Sequence, residues 1–594
     1  MIRAKLKEET KLYVAKAQVV ATTVSKIYMD KLFDGKKYDV VMFDEVSMAY
    51  VPQLLYAAKC AKEKFICVGD FRQLSPIVQS EKAKELLQKD IFSILNIGGQ
   101  GDIRNHPWLV MLNEQRRMHP SISKFSNQRI YKGLLKDHPS MFGKWDFVTE
   151  KDPLSDEAMN LIDVFGTYCA SSKNADNSRF NIMSALLSFA VALKSEKAQY
   201  NLAFKEEEKT GIITPYAAQT RLIRALIQDY RENGKTAISC ATVHQFQGSE
   251  RNVIIFDAVE SYPFTKPGWL VSKNENNSVL RLINVAITRA RCKFITVANT
   301  RFWANKFSET QNVYYKLLEH IKANDNVIDI KNDTLIKFIK ELDFGKNINV
   351  LFGEEDAWVQ LLKDVEAAKE QIVITLPSDK LNYMYANKFI EKLHEHAHDK
   401  THITGKAKAI ERLDTDWKNM LYGSKDAVFP LIVIDKKIIW YGFPLSELAF
   451  EDKNSKFIAV KNPIFRIRGK HTNEMIYSLC NLDYRIDEKG FKIKLLEKAN
   501  STAGKGLAAY VHNHEICPKC KKPMNLYRSH NGKFMLKCSS CGEIGLLSVD
   551  TVNMYLDKVN GKCTVCGKDM YAGVGPFGLY VRCSNNHYTK LSEI

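Results

Sequence analysis

Eight short apolar runs punctuate the first 310 residues of this chain, and they dictate a layered α/β architecture. The first set is AQVVATTV (17–24), DVVMFDEV (39–46), KFICVGD (64–70) and WLVMLNEQ (108–115). The second is TGIITPYA (210–217), SCATVHQ (239–245), NVIIFDAV (252–259) and KFITVAN (293–299). Helical stretches such as VPQLLYAAKCAKE lie between them. Runs this continuous suit parallel strands covered on both faces, and such sheets bind ligands beyond the carboxyl ends of their strands. A helix-rich, less patterned region at about 125–205 divides the sets, so two lobes with a cleft between them are expected.

A chain of 594 residues is too long for one core and should divide into several domains. The net charge of +18 (86 basic minus 68 acidic residues) is spread along the sequence. Such an excess suits a polyanionic partner, although charge of either sign also serves solubility. Seven of the thirteen cysteines lie after residue 516 in short pairs, and the other six are scattered. That pattern predicts metal sites in a reducing compartment rather than a disulfide framework. With no apolar run of about 18 residues and no signal-like start, the expected setting is cytoplasmic, away from membranes.

Several motifs carry chemistry. Asp44 and Glu45 end an apolar run, at the ligand edge of a sheet. Phosphoryl transfer needs a hard oxygen ligand for Mg2+ and a group that orients the attacking water, roles that suit Asp44 and Glu45 respectively. Gln73, after Gly69-Asp70, can position water or read a terminal phosphate. Arg117 (in QRRMHP) and Arg289 (in AITRAR) are candidate clamps for the charge that develops on a transferring phosphoryl group. Gly248 and Glu250 in FQGSE offer close backbone approach and an acceptor for ribose or metal. Thr22, Thr214 and Thr242 fall at expected strand ends, where hydroxyls can meet nucleic-acid phosphates. Each residue alone also has a plainer reading, as a solvated strand end, a loop amide or a surface ion pair.

Taken in order, these motifs resemble superfamily 1 helicases of the senataxin and nonsense-mediated-decay branch over residues ~15–310. The matched segments are Asp44-Glu45, Gly69 through Pro76, Gln115 through Pro120, Thr242 through Glu250 and Asn284 through Arg291. The resemblance implies two RecA-like lobes clamping ATP and Mg2+ and stepping along single-stranded DNA or RNA. It also implies nucleic-acid contacts from Thr22, Thr214, Thr242 and His244. Two departures stand out: Arg116 occupies a position where tyrosine is common, and no G-x-x-x-x-G-K-[ST] phosphate loop occurs anywhere in the chain. The strand that carries the loop is central in such a lobe, so the first lobe is expected to be incomplete. A longer protein or a separate chain is then expected to supply the loop, and these residues alone to lack ATPase activity.

Beyond residue 310 the pattern changes. A polar helical linker is expected over 311–345, and VFPLIVIDKKIIWYGFPLSE (428–447) reads as a strand, a turn and a strand. Residues 346–478 resemble a mixed α/β phospholipase D-like domain, but a degenerate one. The catalytic histidine position holds Val428 and the lysine position Pro430, while Asp435 and Gly442 match. An isolated HxK, His398 and Lys400, has Gly405 at the acid position.

The tail is legible from spacing alone. Cys517-x2-Cys520 with Cys538-x2-Cys541, and Cys563-x2-Cys566 with Cys583-x3-His587, predict two Zn2+ ribbons over 513–550 and 551–594 after a linker at 479–512. Units this short need the metal to fold. They resemble the zinc modules of type IA topoisomerases. Residues 501–594 hold 12 Lys/Arg against 6 Asp/Glu, interleaved with Tyr527, Phe534, Tyr571, Phe577 and Tyr580 as stacking candidates or small cores. The predicted organisation is therefore α/β: a partial lobe (1–130), a second lobe (131–310), the degenerate domain and the ribbons. Two functions fit it, a helicase motor and a non-catalytic single-strand scaffold.

Overall fold

A computed structural model describes residues 2–78, 80–97, 106–264, 268, 277–307, 312–377, 381–396, 401–406, 421–424, 430–446, 462–482, 506–528, 534–563, 565–575, 578–589 and 591. The chain forms two compact units, 1–493 and 494–594, described separately below.

The second lobe has the expected architecture. Six strands, all parallel, lie in the order Val327–Ile328, Met159–Asp163, Ala290–Ala298, Arg251–Asp257, Thr210–Thr214 and Ser239–Thr242. Four of these are the second set of apolar runs. The other two fall where no strand was expected. Met159–Asp163 lies in the supposedly helical region, and Val327–Ile328 within the supposed linker. The stretch 311–345 is not a linker. Its helix Val313–Lys322 buries Tyr314, Leu317, Leu318 and Ile321 against the sheet, because its apolar residues recur at helical spacing. The long helix Ile182–Ala198 is buried along nearly its whole length, as its all-round apolar composition requires.

The first lobe departs from expectation. Among the described residues its sheet is a single parallel pair, Tyr38–Phe43 with Ala61–Cys67. Residues 17–23 form no strand; Thr22 is exposed in an irregular segment before the helix Val24–Met29. Of the run 108–115, only Glu114–Gln115 pairs, with Lys136–Asp137. The apolar content is nonetheless there, and it faces solvent: Met42 is 67% exposed, Trp108 83%, Val110 88% and Leu112 83%. A strand forms only where a neighbour accepts its backbone hydrogen bonds; Met42 lies on a paired strand, whereas among the described residues 17–23 and 108–113 have no strand partner.

A seven-stranded mixed sheet follows, ordered Ile348–Leu351, Ile464–Ile467, Ile438–Tyr441, Leu431–Ile434, Ile372–Thr375, Thr401–Lys406 and Leu421–Ser424. The expected hairpin is its Leu431–Ile434/Ile438–Tyr441 pair. One apolar core runs without a break from the second lobe into this sheet, joining Ile212, Leu222 and Phe189 to Val433, Tyr441, Phe465 and Ile467. Polar contacts fasten the same junction. Asp229, on the lobe helix Ala217–Arg231, accepts the backbone N–H groups of His471 (2.9 Å) and Thr472 (2.8 Å), capping the helix Lys470–Leu479.

In the second unit, two three-stranded antiparallel sheets, 524–546 and 570–589, share one core with the helices Leu507–His514 and Val549–Lys558. The first of those helices begins inside the stretch expected to be a linker.

Asp229→Ala removes a buried carboxylate cap, so chemical denaturation followed by tryptophan fluorescence should give a loss of about 2 kcal/mol from the 1–493 unit. An unchanged unfolding curve would show that the junction does not depend on this contact.

Candidate nucleotide cleft and cysteine clusters

The predicted nucleotide-facing residues converge from separate strand ends. Glu45, two residues beyond the Tyr38–Phe43 strand, is in left-handed conformation (φ 54°), and its Oε2 accepts the amide N–H of Gln247 from the second lobe at 3.2 Å. Asp44 is exposed beside it, its Oδ1 accepting the backbone N–H of Glu45 at 2.9 Å. Gln73 holds its own end of the cleft: its Nε2 donates to Asp70 at 3.0 Å, and its Oε1 accepts from Arg289 Nη2 at 3.3 Å. Arg289 is only 2% exposed; it also donates to the carbonyls of Ser249 (3.2 Å) and Val285 (3.3 Å). Burial, then the neighbouring Arg117, press its pKa below the usual arginine value.

Arg117 meets Glu250 at 2.7 Å, and Arg291 approaches the same carboxylate at 3.5 Å. The turn that presents Arg117 is built by Gln115, whose Oε1 accepts the backbone N–H groups of Arg117 and Met118. Gly248 has φ +79° with open space around it, so backbone conformation rather than crowding calls for glycine there.

Several partners were not singled out from sequence. Tyr131 donates to Asp70 and accepts from Asn284 at 2.8 Å, while Asn284 also donates to the Arg72 carbonyl at 3.0 Å. Burial, then Asp70, hold the Tyr131 hydroxyl well above its ordinary pKa. A buried ion pair joins Arg281 to Asp90. Gln247 and Asn284 stood inside quoted motifs. Tyr131 and Asp90 lay where the sequence carried no periodic signal.

The predicted nucleic-acid contacts are less coherent. Thr214 is fully buried at its strand end, and Thr242 caps the short helix Val243–Phe246 by accepting from Gln245 N at 3.4 Å. His244 is half-buried, and burial lowers its pKa. Thr22 is not at a strand end and does not join this group.

In the seven-stranded domain, Asp435 is structural. Burial opposes its charge, yet the backbone N–H groups of Lys369 (2.8 Å), Glu370 (2.8 Å) and Gln371 (2.9 Å) hold its carboxyl below the usual range. Gly442 has φ +116°, and a Cβ there would stand 2.5 Å from the Pro463 carbonyl oxygen. Both matched positions therefore serve the fold. Val428, His398 and Lys400 lie outside the described residues, while Gly405 sits on the Thr401–Lys406 strand.

The cysteine sets close as spacing predicts. Cys517, Cys520, Cys538 and Cys541 bring their sulfurs within 4.8 Å of one another, as do Cys563, Cys566, Cys583 and His587 their ligand atoms. The Cys517–Cys541 and Cys520–Cys538 separations are 3.5 and 3.4 Å, near the ~3.8 Å edge of a tetrahedron with Zn–S bonds of ~2.3 Å. In the second set the His587 Nδ1 lies 3.6 Å from both Cys563 and Cys583. The donor chemistry fits Zn2+. Asp229, Glu232 and His471 also cluster, but Asp229 spends both oxygens on helix N–H groups, which makes it a cap.

Comparison with known proteins agrees with the cleft. Residues 2–81 and 102–301 match two family models, each described as an AAA domain. DNA polymerase alpha-associated DNA helicase A of Schizosaccharomyces pombe is 29% identical over 346 residues, 55% of this chain and 47% of that protein. Helicase sen1 of the same organism is 29% identical over 49% of this chain and 16% of its own length. An uncharacterized ATP-dependent helicase of Methanocaldococcus jannaschii is 31% identical, covering 52% and 42% respectively. The chain thus spans less than half the length of each of these relatives. Together the matches support a superfamily 1 helicase as the class of protein to which the first 300 residues are similar.

Elemental analysis of the purified chain should find two zinc ions per molecule, and Cys541→Ser should bring that to one. Retention of both in the variant, or none in the parent, contradicts the ligand assignment.

Proposed function

We propose that this chain furnishes the second lobe, the nucleotide-facing acids of the first and the accessory domains of an ATP-dependent superfamily 1 helicase that moves along single-stranded DNA or RNA. The observation that carries this reading is the pair of contacts across the cleft, Glu45 with Gln247 and Gln73 with Arg289. Asp44 would hold Mg2+ and Glu45 orient the attacking water. Arg289 and Arg117 would meet the charge that spreads over the transferring phosphoryl oxygens.

The phosphate loop is assigned to polypeptide other than these 594 residues. In support, Met42, Trp108, Val110 and Leu112 stand exposed on segments patterned as strands, a surface ordinarily covered by further sheet. The seven-stranded domain is read as a phospholipase D-like fold without phosphodiesterase activity, kept as a platform. The two cysteine clusters are read as Zn2+ ribbons, and the setting as cytoplasmic. The absent loop favours one other reading, a catalytically silent scaffold that holds single strands.

ATP hydrolysis by the chain alone, with and without single-stranded nucleic acid, should stay at background. Addition of a polypeptide carrying the loop should restore turnover, and Glu45→Gln should then lower it by at least a hundredfold. Robust hydrolysis by the chain alone that Glu45→Gln abolishes would refute the external-loop assignment. No hydrolysis under any complementation would leave the scaffold reading in its place.

A further inference from the structure

Of the two clamp arginines, Arg289 is fixed by burial and Arg117 is not. The Arg117 side chain is 44% exposed, so its aim depends on its backbone and on its ion pair with Glu250. Gln115 holds that backbone from one side, accepting the Arg117 N–H at 2.9 Å. The other side is held from far along the chain. The indole N–H of Trp145 donates to the Arg117 carbonyl at 2.9 Å. Both polar groups of this one residue are thus occupied by side chains, which leaves its φ and ψ little freedom. Two residues on, the His119 N–H donates to the Arg291 carbonyl at 2.7 Å and ties the turn to the second lobe.

Trp145 is itself immobilised. It is 7% exposed and shares a core with Val148 and Val164. Its carbonyl accepts the N–H groups of Val148 (2.9 Å) and Thr149 (3.2 Å) at the start of the short helix Asp146–Thr149. Just past that helix the chain meets Lys293, which is 1% exposed and stands on the Ala290–Ala298 strand with Arg291. Its Nζ donates to the carbonyls of Lys151 (2.6 Å), Pro153 (3.1 Å) and Leu154 (2.9 Å). The Arg291 guanidinium lies 6.0 Å from the Trp145 ring centre and 5.7 Å from that of Phe204. Residues 145–154 therefore form a brace. One end is anchored on the strand that follows Arg289, and the other reaches the Arg117 backbone.

We propose that Trp145 is a positioning residue for the Arg117 clamp, its indole N–H setting the turn from which the guanidinium reaches a transferring phosphoryl group. The inference rests on the reading of Arg117 as such a clamp and adds a residue that lies outside every motif quoted from the sequence. Tryptophan suits the task because one side chain supplies both a rigid, packed ring and a single directed donor. A clamp displaced by a fraction of an ångström still binds charge but meets the transition state poorly, so the loss falls on turnover.

Two measurements on the full chain test this, with Trp145→Phe and with benzothienylalanine at position 145, which keeps the fused ring and exchanges the N–H for sulfur. Hydrogen exchange read by mass spectrometry should quicken roughly tenfold in peptides covering Arg117 to His119, and stay as in the parent over the strand Thr210–Thr214. If Trp145→Phe loosens both segments, the benzothienylalanine protein decides. In turnover with a loop-bearing polypeptide added, either change should lower kcat roughly tenfold and leave the KM for ATP unmoved. Combined with Arg117→Ala, it should cost nothing beyond Arg117→Ala alone, because Trp145 acts through that residue. Unaltered exchange at the turn overturns the proposal, and so do losses that add in the double variant. Turnover that survives Arg117→Ala but not Glu45→Gln, with exchange at the turn still answering to Trp145, instead overturns the reading of Arg117 as a clamp, and the positioning role falls with it.

Discussion

A buried guanidinium must have its N–H groups satisfied, and Arg289 meets that demand with acceptors from both sides of one cleft. The second lobe supplies the carbonyls of Val285 and Ser249, while the first lobe supplies Gln73. Gln73 is fixed in turn by Asp70, Asp70 is tied to Tyr131, and Tyr131 to Asn284 on the helix that leads to Arg289. The polar chain therefore closes on itself across the lobes. Leaving any buried member unpaired costs about 1–3 kcal/mol, so its members hold each other in register. That constraint aligns the first lobe's strand pair on the six-stranded sheet of the second.

Much of this was legible in the sequence, for identifiable reasons. Strand ends carrying Asp44-Glu45, Thr214 and Thr242 announced themselves because continuous apolar runs stop abruptly at polar residues. The eight metal-ligand candidates followed from spacing, which needs no tertiary knowledge. The strand Met159–Asp163 escaped notice because a five-residue apolar run among helices is ambiguous in period. Val327–Ile328 is too short to have a pattern at all. Residues 17–23 and 108–113 failed in the other direction. They have strand composition, but among the described residues no neighbouring strand pairs with them.

The seven-stranded domain illustrates how matched residues can mislead. Asp435 and Gly442 occupy the two positions that agree with the phospholipase D-like pattern, yet each has a complete structural occupation. One gathers three backbone N–H groups, and the other lets two chain segments approach closely. Sequence reasoning read the missing histidine and lysine as signs of degeneracy; the geometry gives Asp435 and Gly442 structural reasons of their own to be where they are.

The unbroken core between the second lobe and the following sheet has a consequence for inheritance. Phe189, Leu222, Val433, Tyr441 and Phe465 belong to one packed interior, so a recombination breakpoint between them would strand apolar surface on both fragments. The pair is expected to travel through evolution as a single cassette, whereas the cysteine-bearing unit, with its own separate interior, is free to be exchanged.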